Sequence, residues 1–163
     1  MIETVSFTAE MPVSVRQSHQ PVADSGKDSR YEAPAVSRGY GHAVRDHFTH
    51  PRNVGVLDAD HPNVGSALVG AVDQGGAIQM QIRVDGSGII NETRFKAYGC
   101  GATIAAASWT TEWAKGKSLE QASGLRSTEL IHALSLPPVK THCAILAEDA
   151  IKAAVDNYTQ RQE

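Results

Sequence analysis

Cysteine is almost absent from this chain: Cys100 and Cys143 are the only two in 163 residues. Two cysteines make no disulfide framework in a chain of this size, so a reducing, cytoplasmic setting is expected. Long apolar runs are missing as well, and none approaches a bilayer span. The N-terminus carries no signal-peptide h-region. Neither sign of charge dominates, since the net charge is −3 and the pI is near 6.1. No electrostatic footprint for nucleic acid or an anionic membrane surface is present, and neither partner is expected. In that setting the sequon Asn91-Glu92-Thr93 is a chance match.

The apolar fraction of 41% is slightly low for a globular domain, and the first forty residues account for it. Residues 1–40 are rich in Ser, Pro, Gln and small residues, show no sustained period and are nearly neutral. They are expected to form a disordered extension, because they cannot bury enough apolar area to offset the entropy of ordering. Val13, Val15 and Tyr31 offer the alternative of an extended partner-binding arm. Residues 41–163 are expected to form one folded domain.

That domain opens with a short helix around Ala43–Phe48, ended by His50-Pro51, because a residue before proline avoids the α region. Strands follow: Ala67–Asp73, then Ile78–Val84, whose strict alternation sends Ile78, Met80, Ile82 and Val84 to a core and the other face to water. Asp85-Gly86-Ser87-Gly88 is a hairpin signal leading into Ile89–Tyr98, so the sheet is antiparallel. From about Ala102 to Lys115 the pattern is helical, with Ile104, Ala107, Trp109 and Trp113 on one side and Gly116 as the stop. Ser118-Leu119-Glu120-Gln121 reads as a capping box, and Ser127 or Thr128 as the cap of a helix through Leu134. A long C-terminal helix from about Lys140 to Tyr158 carries the apolar line Cys143, Ala147, Ala150, Ile151, Ala154, Tyr158. Strands first and helices afterwards predict an α+β domain with a small three-stranded antiparallel sheet and helices packed on one face.

Chemistry concentrates at the two cysteines. Both fall at expected helix N-termini, where free backbone N–H groups and the macrodipole favour thiolate, the form that binds metals and attacks electrophiles. Each has a plainer reading: Cys100 as a small residue between Gly99 and Gly101, and Cys143 as a core residue. His142 alone would be a capping or surface histidine. Together they are three soft donors, one fewer than a closed metal site needs. Pro137-Pro138 is either a rigid lead-in to the last helix or a preformed recognition segment.

Several stretches resemble the IscU/NifU family of iron–sulfur cluster assembly scaffolds. They are Asp46-His47-Phe48 with Pro51-Arg52-Asn53-Val54-Gly55, then Phe95-Lys96-Ala97-Tyr98-Gly99-Cys100-Gly101, Thr111-Glu112-Trp113 through Gly116-Lys117-Ser118, and Leu136-Pro137-Pro138-Val139-Lys140 followed by His142-Cys143. The resemblance implies a non-enzymatic scaffold that assembles a 2Fe–2S cluster with sulfur from a cysteine desulfurase. It also implies that a heat-shock chaperone pair binds Leu136, Pro137, Pro138, Val139 and Lys140 and promotes release to acceptor apo-proteins. The family's ligands are three cysteines, an aspartate and a histidine. Cys100, His142 and Cys143 match three of these positions, but Gln74 stands where the first cysteine belongs and Gly76 where the aspartate belongs. Neither substitute suits an iron–sulfur iron, which selects thiolates. Asp73 would close the site if the loop slipped by a residue or more.

Three functions fit this pattern. The first is a divergent scaffold or carrier of iron or a 2Fe–2S cluster, its missing ligand supplied by a small thiol, a partner cysteine or a second protomer. The second is a non-catalytic interaction subunit that binds zinc or no metal and pairs with a complete scaffold. The third is a sulfur-transfer protein with Cys143 as persulfide acceptor, the role the resemblance gives that position.

Overall fold

The structure, a computed structural model, describes residues 40–163; the expected disordered extension lies outside the described residues except for Tyr40. Helix α1 (His42–Thr49) stops at His50, ahead of Pro51. A loop leads to β1 (Val64–Ala71), a 3-10 turn (Val72–Gln74), β2 (Gly76–Val84) and β3 (Ile90–Gly99). Then come α2 (Gly101–Ala114), α3 (Leu119–Ser123), α4 (Ser127–Leu134), a second 3-10 turn (Pro138–Lys140) and α5 (Thr141–Gln162). The strands form one antiparallel sheet in the order β1-β2-β3. Helix α5 lies on β1 and β2, α2 lies on β3 and against α5, and α1 packs on α2. This is the expected α+β architecture.

The alternation in β2 places Ile78, Met80, Ile82 and Val84 in the core, each 1% exposed or less. Its other face is not left to water as expected, because Ala77 and Gln81 are also buried. The Gln81 amide accepts the Leu57 N–H at 2.7 Å and donates to the Leu57 carbonyl at 3.1 Å, which ties the loop before β1 to that face. A buried amide is tolerated because its donor and its acceptor are both matched. The expected strand Ala67–Asp73 begins earlier and ends at Ala71, so Asp73 stands in a 3-10 turn.

Helix α2 departs from its expected facing. Ile104, Trp109 and Trp113 are only half-buried, while Ala102, Thr103, Ala105, Ala106, Ala107, Ser108, Thr110, Thr111 and Ala114 are buried. With the sheet, α5 and α1 all against it, the helix needs small residues on several sides, and its large apolar residues move to the flank. There Trp109 and Trp113 stack at 6.3 Å, with the Lys117 ammonium over the Trp113 ring.

The expected capping box forms: Ser118 Oγ accepts the Gln121 N–H, and the Gln121 amide oxygen accepts the Ser118 N–H. Neither Ser127 nor Thr128 caps α4. Arg126 is its N-cap residue, and the Ser127 N–H donates instead to the Glu148 carboxylate of α5 at 2.6 Å. Gly116 does end α2, at φ +82°, and its N–H donates to the Ile90 carbonyl at 2.8 Å.

Helix α5 approaches the sheet more closely than side chains permit. A Cβ on Gly65 would collide with the Ala154 carbonyl oxygen and lie 2.7 Å from Tyr158 Cβ. The expected line of Cys143, Ala147, Ala150, Ile151 and Ala154 is fully buried in this contact, with Tyr158 partly so. Gly65→Ala is expected to destabilise the fold by about 1–3 kcal/mol through overpacking. Gly86→Ala in the open hairpin, where an added Cβ meets nothing within 4 Å, is expected to stay within about 0.5 kcal/mol of wild type. Urea unfolding midpoints of the two variants check this, and equal midpoints would remove the close-packing account.

Candidate metal and thiol site

Each residue of Gly99-Cys100-Gly101 has a local reason to be there. Gly99 takes φ +154°, and a Cβ on it would lie 3.0 Å from Thr103 Oγ1. Cys100 is the N-cap of α2, its carbonyl accepting from the Thr103 and Ile104 N–H groups. Gly101 lies against the Phe48 ring of α1, where a Cβ would come within 3.2 Å. Cys143 arrives from the other direction, as the third residue of α5 behind the Pro138–Lys140 turn. The pairing Gly76↔Gly99 brings the end of the β1–β2 loop to the same place.

The two thiols meet with Cys100 Sγ and Cys143 Sγ 3.7 Å apart. Thr103 Oγ1 lies between them, 3.5 Å from Cys100 Sγ and 3.4 Å from Cys143 Sγ, so its one proton is within reach of either sulfur. His142 Nε2 is 3.5 Å from Cys143 Sγ. Cys143 is fully buried and Cys100 half-buried. Their acidities diverge because they share one proton. The hydrogen bond from Cys143 pulls the Cys100 thiol far below its ordinary value against the opposing effect of burial, with help from the Thr103 hydroxyl and the Thr103 and Ala102 N–H groups. That bond and burial push Cys143 upward. The charge on Cys100 in turn raises Lys140, and Tyr40 is raised by burial and then by the same charge.

Of the residues expected to bind metal, the structure brings Cys100, His142 and Cys143 together and leaves Asp73 out. Asp73 and Gln74 are exposed in the 3-10 turn. Among the described residues, no group of three or more His, Cys, Asp or Glu is arranged around one metal position. Pairwise, the donors do fit a tetrahedral ion. Metal–sulfur bonds of about 2.3 Å place two sulfurs about 3.8 Å apart, and a nitrogen at about 2.0 Å lies about 3.5 Å from a sulfur. A Cβ on Gly76 would be 3.1 Å from the Tyr98 carbonyl oxygen and 3.6 Å from Thr103 Oγ1, so the hydroxyl borders the space beside Gly76.

The Leu136–Lys140 stretch divides. Leu136 is buried, Pro137 half-buried and Pro138 exposed, while Val139 is 76% exposed. The Lys140 ammonium is favoured chiefly by the charge of Cys100. Reading the sequence missed Thr103 and Tyr40 as members of the site. The three-residue spacing from Cys100 to Thr103, that of an N-cap to its N3 position, was the signal available for Thr103; nothing near Tyr40 marks it.

Cys100 is expected to be alkylated by iodoacetamide well below the pH at which an ordinary thiol reacts, because its thiolate is already present there. Thr103→Val removes one donor to that thiolate, so the midpoint of the alkylation profile should move to higher pH. An unchanged profile would show that the hydroxyl does not act on Cys100.

Comparison with known proteins identifies the family and the fold. The family model described as NifU-like N terminal domain matches residues 39–163. Iron-sulfur cluster assembly protein 3 of Arabidopsis thaliana is 52% identical, over 80% of this chain and 76% of its own length. The iron-sulfur cluster assembly scaffold protein IscU of Escherichia coli K12 is 52% identical, over 76% of this chain and 97% of its own length. Among solved structures, a putative scaffold protein for the SUF system from Fervidobacterium islandicum shares the fold at TM-score 0.57 and 15% identity, over 71% of this chain and 96% of its own. A NifU-like N-terminal domain from Brucella abortus does so at TM-score 0.56 and 11% identity, over 74% and 94%. A NifU-type sheet, a thiol pair at its edge and half-identical scaffold relatives lead to one conclusion: this chain belongs to the NifU-like N-terminal domain family, the family of the IscU iron–sulfur cluster assembly scaffolds.

Proposed function

We propose that this protein is an iron–sulfur scaffold or carrier whose cluster is completed by a ligand from outside the chain. The observation that carries the reading is the 3.7 Å separation of Cys100 and Cys143, the spacing of two thiolates on one tetrahedral iron. His142 is a third donor beside Cys143. With Gln74 and Gly76 in the loop, the fourth ligand comes from a small thiol, a partner cysteine or a second protomer; two protomers giving two thiolates each hold one 2Fe–2S cluster. The cluster is cargo, received with sulfur from a cysteine desulfurase and passed to acceptor apo-proteins. Two free thiols suit a reducing cytoplasm. Among the described residues, no helix is long and apolar enough to cross a membrane.

A second reading draws on the arrangement of the donors: no described group of three converges on a metal position, which favours an interaction subunit that binds zinc or no metal. Anaerobic reconstitution with iron and sulfide separates the two. The scaffold reading expects a visible-absorbing cluster with about two irons per dimer, lost in Cys100→Ala. Zinc alone at one per chain, without iron uptake, would overturn it.

The chaperone partner rests on a different feature. Val139 is 76% exposed on a turn preset by Pro138 and anchored by buried Leu136, an apolar side chain held out for capture. Pro138→Ala is expected to weaken binding to the heat-shock chaperone by roughly tenfold, about 1.4 kcal/mol. Unchanged affinity in a titration would withdraw this partner.

A further inference from the structure

Cys100 and Cys143 differ in the one property that sorts thiols in exchange chemistry, which is access. Cys100 is half-buried on the N-cap of α2, and Cys143, 43 residues away in sequence, is 0% exposed on α5. Their sulfurs are 3.7 Å apart, so a bond of about 2.05 Å needs them to close by less than about 2 Å. Both are free, and Thr103 Oγ1 reaches both. Gln74 and Gly76 add no further thiol or carboxylate to the site. An accessible thiol with a second thiol within reach behind it can attack an incoming sulfur and then resolve the intermediate by thiol–disulfide exchange.

We propose that this pair reduces persulfide sulfur to sulfide, with Cys100 as the acceptor and Cys143 as the resolving thiol. The proposal rests on the scaffold reading for its sulfur donor and reverses the expectation that Cys143 is the acceptor, since an incoming persulfide meets Cys100 first. In the first step the Cys100 thiolate attacks the terminal sulfur of a donor persulfide. A bond forms from Cys100 Sγ to that sulfur, the donor's sulfur–sulfur bond breaks, and the donor leaves as a thiolate. In the second step Cys143 Sγ attacks Cys100 Sγ and the new persulfide bond breaks. The terminal sulfur leaves as hydrosulfide and takes up the Cys143 proton. The transferred sulfur gains two electrons, and the two cysteine thiols supply them by becoming a disulfide. Two equivalents of a low-molecular-weight thiol then restore the pair. The protein would thus deliver sulfur already reduced to the oxidation state that a cluster contains.

The test uses the full-length, metal-free, reduced protein under anaerobic conditions, with glutathione persulfide as donor and no iron present. Wild type is expected to release about one sulfide per chain above the donor-only rate and to lose the mass of two hydrogens. Cys143→Ser and Cys143→Ala should both stop with one added sulfur on Cys100 and release no sulfide above the donor-only rate. Cys100→Ser should load sulfur at least about tenfold more slowly. Circular dichroism confirms that each variant scored is folded. Sulfur found first on Cys143, or equal loading of Cys100→Ser, would overturn the assignment of acceptor. Closure of the disulfide by oxidised glutathione, with no sulfide released from the persulfide, would reduce the pair to a redox couple and overturn the proposal. Because iron is absent, failure here with cluster binding intact sinks only this inference. Sulfide release without cluster binding sinks only the scaffold reading.

Discussion

Everything at the site depends on how closely α5 lies on the sheet. At Gly65 the helix backbone occupies the space a side chain would need, with the Ala154 carbonyl oxygen at the place of a Cβ. Farther along the same strand, Gly70 stands under Leu146 and against the Gly76 carbonyl, at φ +82°. These two contacts set the depth and direction of the helix, and its third residue is Cys143. A helix seated one side chain higher would carry Cys143 away from Cys100, whose own position is fixed by the end of β3 and the start of α2. The alanines at 147, 150 and 154 serve the same end, because small residues let the helix come in close and dispersion rewards the contact.

Much of this was legible in the sequence, since the signals were local. Alternation gave β2 its inward face, and Ser118 and Gln121 marked their helix start. The small-residue line from Cys143 to Ala154 marked the buried side of α5. The failures share a cause as well. Helix α2 has no single apolar stripe, because three neighbours surround it and small residues are needed on several sides, so periodicity pointed to the tryptophan flank. The acceptor that meets the start of α4 is the Glu148 carboxylate, twenty-one residues onward, and no nearby motif announces it. Gln81 looks like a solvent-facing strand residue until the loop bearing Leu57 is brought to it.

At the site itself, pattern and geometry divided the work differently. The Gly-Cys-Gly turn and the His-Cys pair were visible as chemistry, and the fold supplied their adjacency. Spacing marks Thr103 only as an N3 partner of Cys100, and its contact with the second thiol arises only when a residue forty positions away, Cys143, comes within reach of its hydroxyl. The Leu136–Lys140 signature was read as one unit. Its last residue serves the thiols, while its apolar tip faces outward. Gln74 and Gly76 leave the loop side of the pocket without donors, and the thiols there find a hydroxyl and each other as partners.

The exposed Val139 and the buried Cys143 are four residues apart, across a 3-10 turn that meets α5 at Lys140, where the backbone leaves helical geometry at φ −112°, ψ 9°, a span of about 6–8 Å. That turn is closed by the Lys140 N–H on the Pro137 carbonyl at 2.9 Å, and the Thr141 hydroxyl donates to the Pro138 carbonyl at 2.9 Å across the junction. One end of this segment lies in solvent and the other carries a sulfur, with Lys140 standing between them. Leverage at the outer end is therefore not diluted by a flexible linker. A grip that unwinds the turn at Val139 also swings the Lys140 ammonium and the first turn of α5, and it loosens the pocket from outside without reaching into it.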